Sequence, residues 1–238
     1  MDDRISVLSE LAHAMARQTR TEPLPHRLCR SATGLLGADG GAITLAYTSE
    51  DRLTLCATDD CAARLEDLQD VLGEGPGPTA YRTGLQVHAT VGAGDQRWPH
   101  FDASVHSSLG TIGVHAVPIR PDHTVLGVLT CHLPPERELL LSPSTVQFLA
   151  DAVGVALLRD PAAHATELPR DGGPWSSRSR IHQAIGMVVA QLGIDTDDAL
   201  ALLRAHAFAH EATLDDIASA VIARELDFSQ IDPGSADS

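Results

Sequence analysis

Arg180, Gln183, Met187, Ala190 and Gln191 fall on the side of a helical wheel opposite an apolar stripe, and Gly186 lies beside Gln183. A guanidinium can pair with phosphate, a carboxamide can read a base edge, and a glycine lets a backbone approach closely, so this face could meet a nucleic acid. Further along, Arg204 and Phe208 share an outward face at i, i+4, one suited to phosphate and the other to stacking on an unstacked base. The competing reading is a solvated surface with one apolar contact. Residues 176–228 hold four arginines against eight acidic residues, so the cationic surface is sparse. His206 and His210 have a spacing that can hold a metal. They lie, however, on the stripe expected to face inward with Leu202 and Leu203, and read as packed boundary histidines.

Other chemistry is thin. Cys29, Cys56, Cys61 and Cys131 form no CxxC pair, and their spacing suits neither a disulfide framework nor a zinc site, so reduced thiols are expected. The twelve histidines are scattered, and no haem-attachment CxxCH occurs. No nucleophile elbow, phosphate-binding glycine loop, HExxH or GxGxxG is present, and the chain reads as no enzyme. It contains no Lys and no Asn, so every basic side chain except His is Arg. The formal net charge of -15 disfavours non-specific adhesion to nucleic acid or to an anionic membrane. The first eighteen residues are acidic and amphipathic, unlike a signal peptide, and no apolar run is long enough to span a bilayer. A cytoplasmic setting follows as the expectation.

The elements that must position these residues fall into two groups. In the second, Ile181, Ala184, Ile185, Val188, Val189 and Leu192 repeat at i, i+3, i+4 and so predict a helix, capped by Ser176 or Ser177 and ended by Gly193. A second helix is predicted from Asp195 or Thr196 with Ala199, Leu202 and Leu203 inward. A third follows from Thr213, with Asp216 three residues on, burying Leu214, Ile217, Ala218, Val221 and Ile222. The first group starts with Ile5, Leu8, Ala12 and Met15 at 3-4-3 spacing, either a dimer seam or a face packed on its own domain. Helices are predicted at 24–36 and 62–72, and strands at 42–47, 53–57, 85–91, 111–119 and 125–133. A last helix is capped by Ser142 and carries Val146, Leu149, Ala150, Val153, Ala156 and Leu157 inward. This makes an α+β fold, an antiparallel sheet flanked by helices, followed by a three-helix bundle. Residues 160–175, rich in Pro and Gly, read as a linker between a domain at 1–159 and one at 176–228, and 229–238 as a disordered tail.

Two resemblances refine this. Ser177-Arg178-x-x-Ile181-x-Gln183-Ala184-x-Gly186-Met187, then Ala199-x-x-Leu202-Leu203-Arg204-x-x-Ala207, then Leu214-x-x-Ile217-Ala218 resemble an ANTAR domain. Members of that family bind paired stem-loops in nascent RNA, typically as dimers, and prevent a terminator hairpin from forming. The resemblance carries over Arg178, Gln183, Gly186 and Arg204 as RNA contacts, and the helical faces add Arg180 and Phe208. Where many relatives carry Lys between Ala and Gly, this chain has Ile185, and a common Asn position before the third helix is Glu211. The segment 5–159 resembles a GAF domain through Gly73-Glu74-Gly75-Pro76 with Ala80 and Thr83-Gly84, Arg97-Trp98-Pro99-x-Phe101, residues 113–118, and Leu126-Gly127-Val128-Leu129. That implies a small-molecule pocket between sheet and loops, with Tyr81, Trp98, His115, Cys131 and His132 as linings. No cofactor or metal is implied. Gly77 stands where many such domains have Cys. Together the resemblances imply a homodimeric sensor controlling an RNA-binding antitermination module; the alternative is a dimerising interaction protein whose bundle no longer binds RNA.

Overall fold

The computed structural model describes residues 2–19, 21–46, 52–122, 124–159 and 174–230, and forms two compact units, Met1–Glu167 and Leu168–Ser238. Most of the expected linker and the tail at 231–238 lie outside the described residues.

The first unit runs α1 (Asp2–Ala16), α2 (Leu24–Leu36), β1 (Gly40–Ala46), β2 (Arg52–Ala57), α3 (Asp60–Leu72), α4 (Pro76–Thr83), β3 (Val87–Val91), α5 (Pro99–Leu109), β4 (Ile112–Ile119), β5 (Gly127–Leu133) and α6 (Pro143–Leu158). The five strands pair antiparallel in the order β2-β1-β5-β4-β3. Because strand side chains alternate, the sheet offers two faces. Ile43, Leu45, Val117, Ile119, Leu129 and Cys131 pack with α1, α2 and α6 in one apolar core. The opposite face meets α3, α4 and α5, where Ala89, Val91 and Val114 pack on Leu65, Leu68 and Phe101. Ala116 and Val128 pack there on Ala80.

Two helices, α4 and α5, go beyond the elements expected from periodicity. The first has only eight residues; the second carries its apolar side chains once per turn, Phe101, Val105 and Leu109, too thin a stripe to register. The expected 3-4-3 seam on α1 is also redrawn. Val7 and Leu11 enter the core with Met15 against it, while Ile5 is 65% exposed and Leu8 and Ala12 face outward. On α6, Val146, Leu149, Ala150, Val153 and Leu157 are buried in the same core, so that stripe is inside the unit and is no outward seam.

The second unit comprises α7 (Pro174–Leu192), α8 (Thr196–Ala209), α9 (Leu214–Ile222) and a 3-10 turn (Phe228–Gln230). Each of the three helices contacts the other two. Helix α7 begins at Pro174, so Ser176 and Ser177 lie inside it and do not cap it; Gly193 closes it at φ +68°, its N–H on the Val189 carbonyl. Asp195 caps α8 by accepting the Asp198 N–H at 2.8 Å, and Thr213 with Asp216 forms a reciprocal capping box on α9. The core is Ala184, Ile185, Val188, Ala199, Leu200, Leu203, Ala207, Leu214, Ile217, Ala218 and Val221. Leu200 replaces the expected Leu202, which is 38% exposed, because Leu200, Leu203 and Ala207 are the positions that share one helical face with Ala199.

Candidate functional site

In the first unit a network of buried polar residues sits under the sheet. Helix α3 turns Ala62, Leu65, Glu66 and Gln69 inward, placing a carboxylate and a carboxamide on an otherwise apolar face. Glu66 accepts the Thr44 hydroxyl at 2.7 Å and the Gln69 amide at 2.8 Å; Thr44 in turn lies 3.0 Å from the Thr54 hydroxyl. The Gln69 carbonyl accepts the Gly77 N–H at 2.6 Å. A Cβ at Gly75 or Gly77 would come within 2.8 or 2.9 Å of that carboxamide, so any other residue at either position would push Gln69 out of this arrangement. This accounts for Gly77 where a Cys is usual. Nearby, Asp102 is buried and accepts the N–H groups of Gly92 at 2.8 Å, Ala93 at 3.3 Å and Gly94 at 2.8 Å. Burial alone would raise its pKa, but the Asp95 backbone N–H together with these donors outweighs it and holds the carboxyl below the usual range.

The five expected pocket residues do not come together. Tyr81 on α4, Trp98 before α5 and His132 on β5 lie on the α3 side, with the Trp98 indole N–H on the Thr79 hydroxyl at 3.0 Å. His115 and Cys131 belong to the other face by strand alternation. His115 stacks on His88 with ring centres 4.0 Å apart, and burial together with that neighbour pushes its pKa down to about 4. Burial pushes the Cys131 thiol up to about 12. Cys29 is also raised, first by its hydrogen bond with Cys56 and then by burial, in keeping with inert thiols in a core.

One group unites residues that the sequence did not connect. Asp59, Cys61 and His132 offer a carboxylate oxygen, a thiol and a ring nitrogen all within 4.8 Å of one another. The ring Nε2 of His132 is 2.9 and 3.1 Å from the two Asp59 oxygens. Burial, then Asp59, raises the Cys61 thiol to about 11. The sequence offered His132 only as a pocket lining and Cys61 only as a reduced thiol; their juxtaposition with Asp59, the N-cap of α3, is a product of topology.

In the second unit, Gln183 and Gly186 lie together on the exposed face of α7, opposite Ala184, Ile185 and Val188. Arg180 makes a two-pronged ion pair with Asp215 of α9, at 3.0 Å from Nε and 2.7 Å from a terminal nitrogen. Gln191 accepts the Phe228 N–H at 3.2 Å. On α8, Arg204 is half-buried and Phe208 is 53% exposed. The side chain of Arg178 lies outside the described residues. His206 and His210 stack on each other with ring centres 4.0 Å apart, and His206 meets the Phe228 ring edge-on. Burial, then His210, lowers the His206 pKa.

A family model of the GAF domain matches residues 22–157, more than half of the chain, and one of the ANTAR domain matches residues 175–222. Among solved structures, a GAF domain of A. aeolicus nlh2 in an inactive state is 15% identical with a TM-score of 0.46, over 66% of this chain and 98% of that one. The GAF-B domain of DevS from Mycobacterium smegmatis is 16% identical with a TM-score of 0.41, over 60% and 97%. A GAF domain/HD domain protein from Geobacter sulfurreducens is 15% identical with a TM-score of 0.42, over 63% and 95%. No curated protein matches the chain.

Proposed function

The chain belongs to the GAF domain family, with an ANTAR domain behind its GAF domain, and from that premise we propose a cytoplasmic, homodimeric regulator of transcription antitermination. It joins a sensor to an RNA-binding output module, and both domains are regulatory and non-catalytic. In this reading the GAF unit takes a small molecule, and the bundle binds paired stem-loops in nascent transcripts. It is no enzyme. No helix among the described residues is long and apolar enough to cross a membrane.

The observation that carries the RNA reading is the ANTAR match over 175–222 together with Gln183 and Gly186 side by side on the exposed face of α7. Phosphate contacts position a protein and base contacts specify its target. Gln183→Ala should therefore blur preference among loop sequences more than it weakens binding, and Arg204→Ala should weaken binding about tenfold. The test is binding of paired stem-loop RNA to the full chain over a salt series, with affinity falling as salt rises. Absence of binding at low salt overturns the reading.

Homodimerisation is supported by apolar side chains left outward on α1 and α6. Ile5, Leu8, Val155 and Leu158 remain exposed, and an open groove of about 870 Å³ runs between Leu8, Phe148 and Val155. Light scattering should give twice the chain mass; a strict monomer contradicts this part. One observation favours the alternative, an interaction module that no longer binds RNA: Arg180 is committed to Asp215 within the bundle.

A further inference from the structure

We propose that Asp59, Cys61 and His132 form a binding site for a divalent transition-metal ion of the zinc class. The three donor atoms lie within 4.8 Å of one another, and the Asp59 and His132 atoms already stand 2.9 Å apart. A tetrahedral ion with bonds of about 2.0 Å to nitrogen and oxygen and about 2.3 Å to sulfur needs its ligands roughly 3–4 Å apart, a closure that side-chain rotation supplies. Thiolate with imidazole favours zinc and cobalt over magnesium or calcium, which prefer all-oxygen shells.

The surroundings hold the ligands in place. Asp59 is fixed by the Ala62 N–H at 2.8 Å and the Thr58 hydroxyl at 2.8 Å, and that hydroxyl accepts the Gly41 N–H at 2.9 Å. These contacts orient the carboxylate and leave it capacity for an ion. His132 is 8% exposed and is anchored by its pairing with Gly40 across β1 and β5. Residue 40 has to be glycine there, since a Cβ would fall 1.6 Å from an Asp59 oxygen and 2.6 Å from the His132 Nε2. Cys61 is the second residue of α3, so the Asp59 cap that starts the helix also places its thiol beside the carboxylate. The Asp59 side chain is 35% exposed, which gives the ion a way in, and three protein ligands leave the fourth position for water.

On binding, the ion takes the place of the Nε2 proton, the neutral imidazole carries its proton on Nδ1, and Cys61 gives its Sγ proton to solvent. No oxidant or reductant takes part. An ion there pins the start of α3, the helix bearing Glu66 and Gln69, to the sheet.

The test uses the full chain, reduced and stripped with a chelator, then titrated with Co²⁺. One equivalent should produce the near-ultraviolet charge-transfer band of a thiolate–cobalt bond and the visible bands of tetrahedral cobalt, and Zn²⁺ should displace it. Cys61→Ser should abolish the charge-transfer band. Asp59→Asn, which keeps the helix cap, should weaken binding at least about tenfold, and Thr58→Ala about tenfold through the carboxylate it orients. Zn²⁺ should raise the Tm of the wild-type chain by clearly more than that of Asp59→Asn at the same concentration, with both metal-free proteins folded by circular dichroism. His88→Ala and His210→Ala should bind as the wild type does. Absence of the charge-transfer band, or stoichiometric binding that survives both Cys61→Ser and Asp59→Asn, overturns the proposal; the latter would mean adventitious histidine binding only.

Discussion

The two units place polar groups in opposite ways. Among the described residues, every buried polar or charged side chain belongs to the sheet unit: Ser31, Thr33, Thr44, Glu66, Gln69, Asp102, Thr130, His132 and Thr145. The three-helix bundle buries only apolar side chains and keeps its carboxylates and guanidiniums at the surface or its margin. A larger domain buries a greater fraction of its surface and can offset the desolvation of a hydrogen-bonded network; about fifty residues cannot. The difference also fits the two proposed tasks, since a pocket recognises its ligand from within and a nucleic-acid binder works from its surface.

The strongest test of the inward network is Asp102→Ala. It leaves the N–H groups of Gly92, Ala93 and Gly94 without their acceptor, and should cost on the order of 3 kcal/mol or more in urea unfolding of the sheet unit. Gln69→Leu should cost less, about 1–3 kcal/mol, because it orphans one buried donor, the Gly77 N–H, and part of the Glu66 carboxylate. A neutral outcome for both would mean that the network is dispensable and the contrast superficial.

His115 supplies a pH test. Its folded pKa of about 4 lies below the ordinary value near 6.5, so the unfolded chain binds the extra proton between those limits. The stability it contributes is complete above about 6.5 and is lost as pH falls towards 4. His115→Phe should flatten the dependence of unfolding free energy on pH across that window by up to about one proton.

The bundle carries a strain that the sheet unit avoids. Helices α2, α3 and α4 end on Gly37, Gly73 and Gly84 in the left-handed region, whereas α8 and α9 end on Glu211 at φ 51° and Arg224 at φ 61°. In both cases the following N–H reaches back five residues, Ala212 to the Ala207 carbonyl and Glu225 to that of Ala220, the pattern of a Schellman motif. Glu211→Gly and Arg224→Gly should each stabilise the bundle by about 1 kcal/mol. Unchanged or lower midpoints for both variants would show that the strain is absorbed elsewhere. The same geometry explains why Asn is common at the Glu211 position, since Asn tolerates the left-handed region.

Much of this architecture was legible because local signals agreed with it. Ser142 before Pro143, Thr213 with Asp216, and Gly37 after Leu36 mark helix ends through hydrogen bonds that each residue makes with its neighbours. What stayed hidden depends on distant partners. Glu66 and Gln69 look like ordinary helix-surface residues until Thr44 and Gly77 are folded against them. Asp59 and His132 meet only because β1 pairs with β2 on one side and with β5 on the other, and the pocket residues were drawn from both faces because composition does not say which side of a strand a side chain takes.

The smallest expected effect bears most directly on the two readings of the bundle. Arg180 and Asp215 are each about a third exposed, so their ion pair should contribute no more than about 1 kcal/mol in a double-mutant cycle, despite its two-pronged geometry. Asp215→Asn should therefore leave the bundle folded while releasing Arg180 from that pair. If Arg180 works on RNA, stem-loop affinity at low salt should rise in Asp215→Asn beyond the rise in Asp197→Asn, which changes net charge equally but touches a different helix. Arg180→Ala should then cancel the gain. Equal gains in the two Asn variants would reflect charge alone, and a fall in Asp215→Asn would mean that Arg180 serves to hold α7 against α9. In that last case the outward face is reduced to Gln183, Gly186 and the α8 pair Arg204 and Phe208, and recognition would have to rest on shape and base contacts with little help from phosphate.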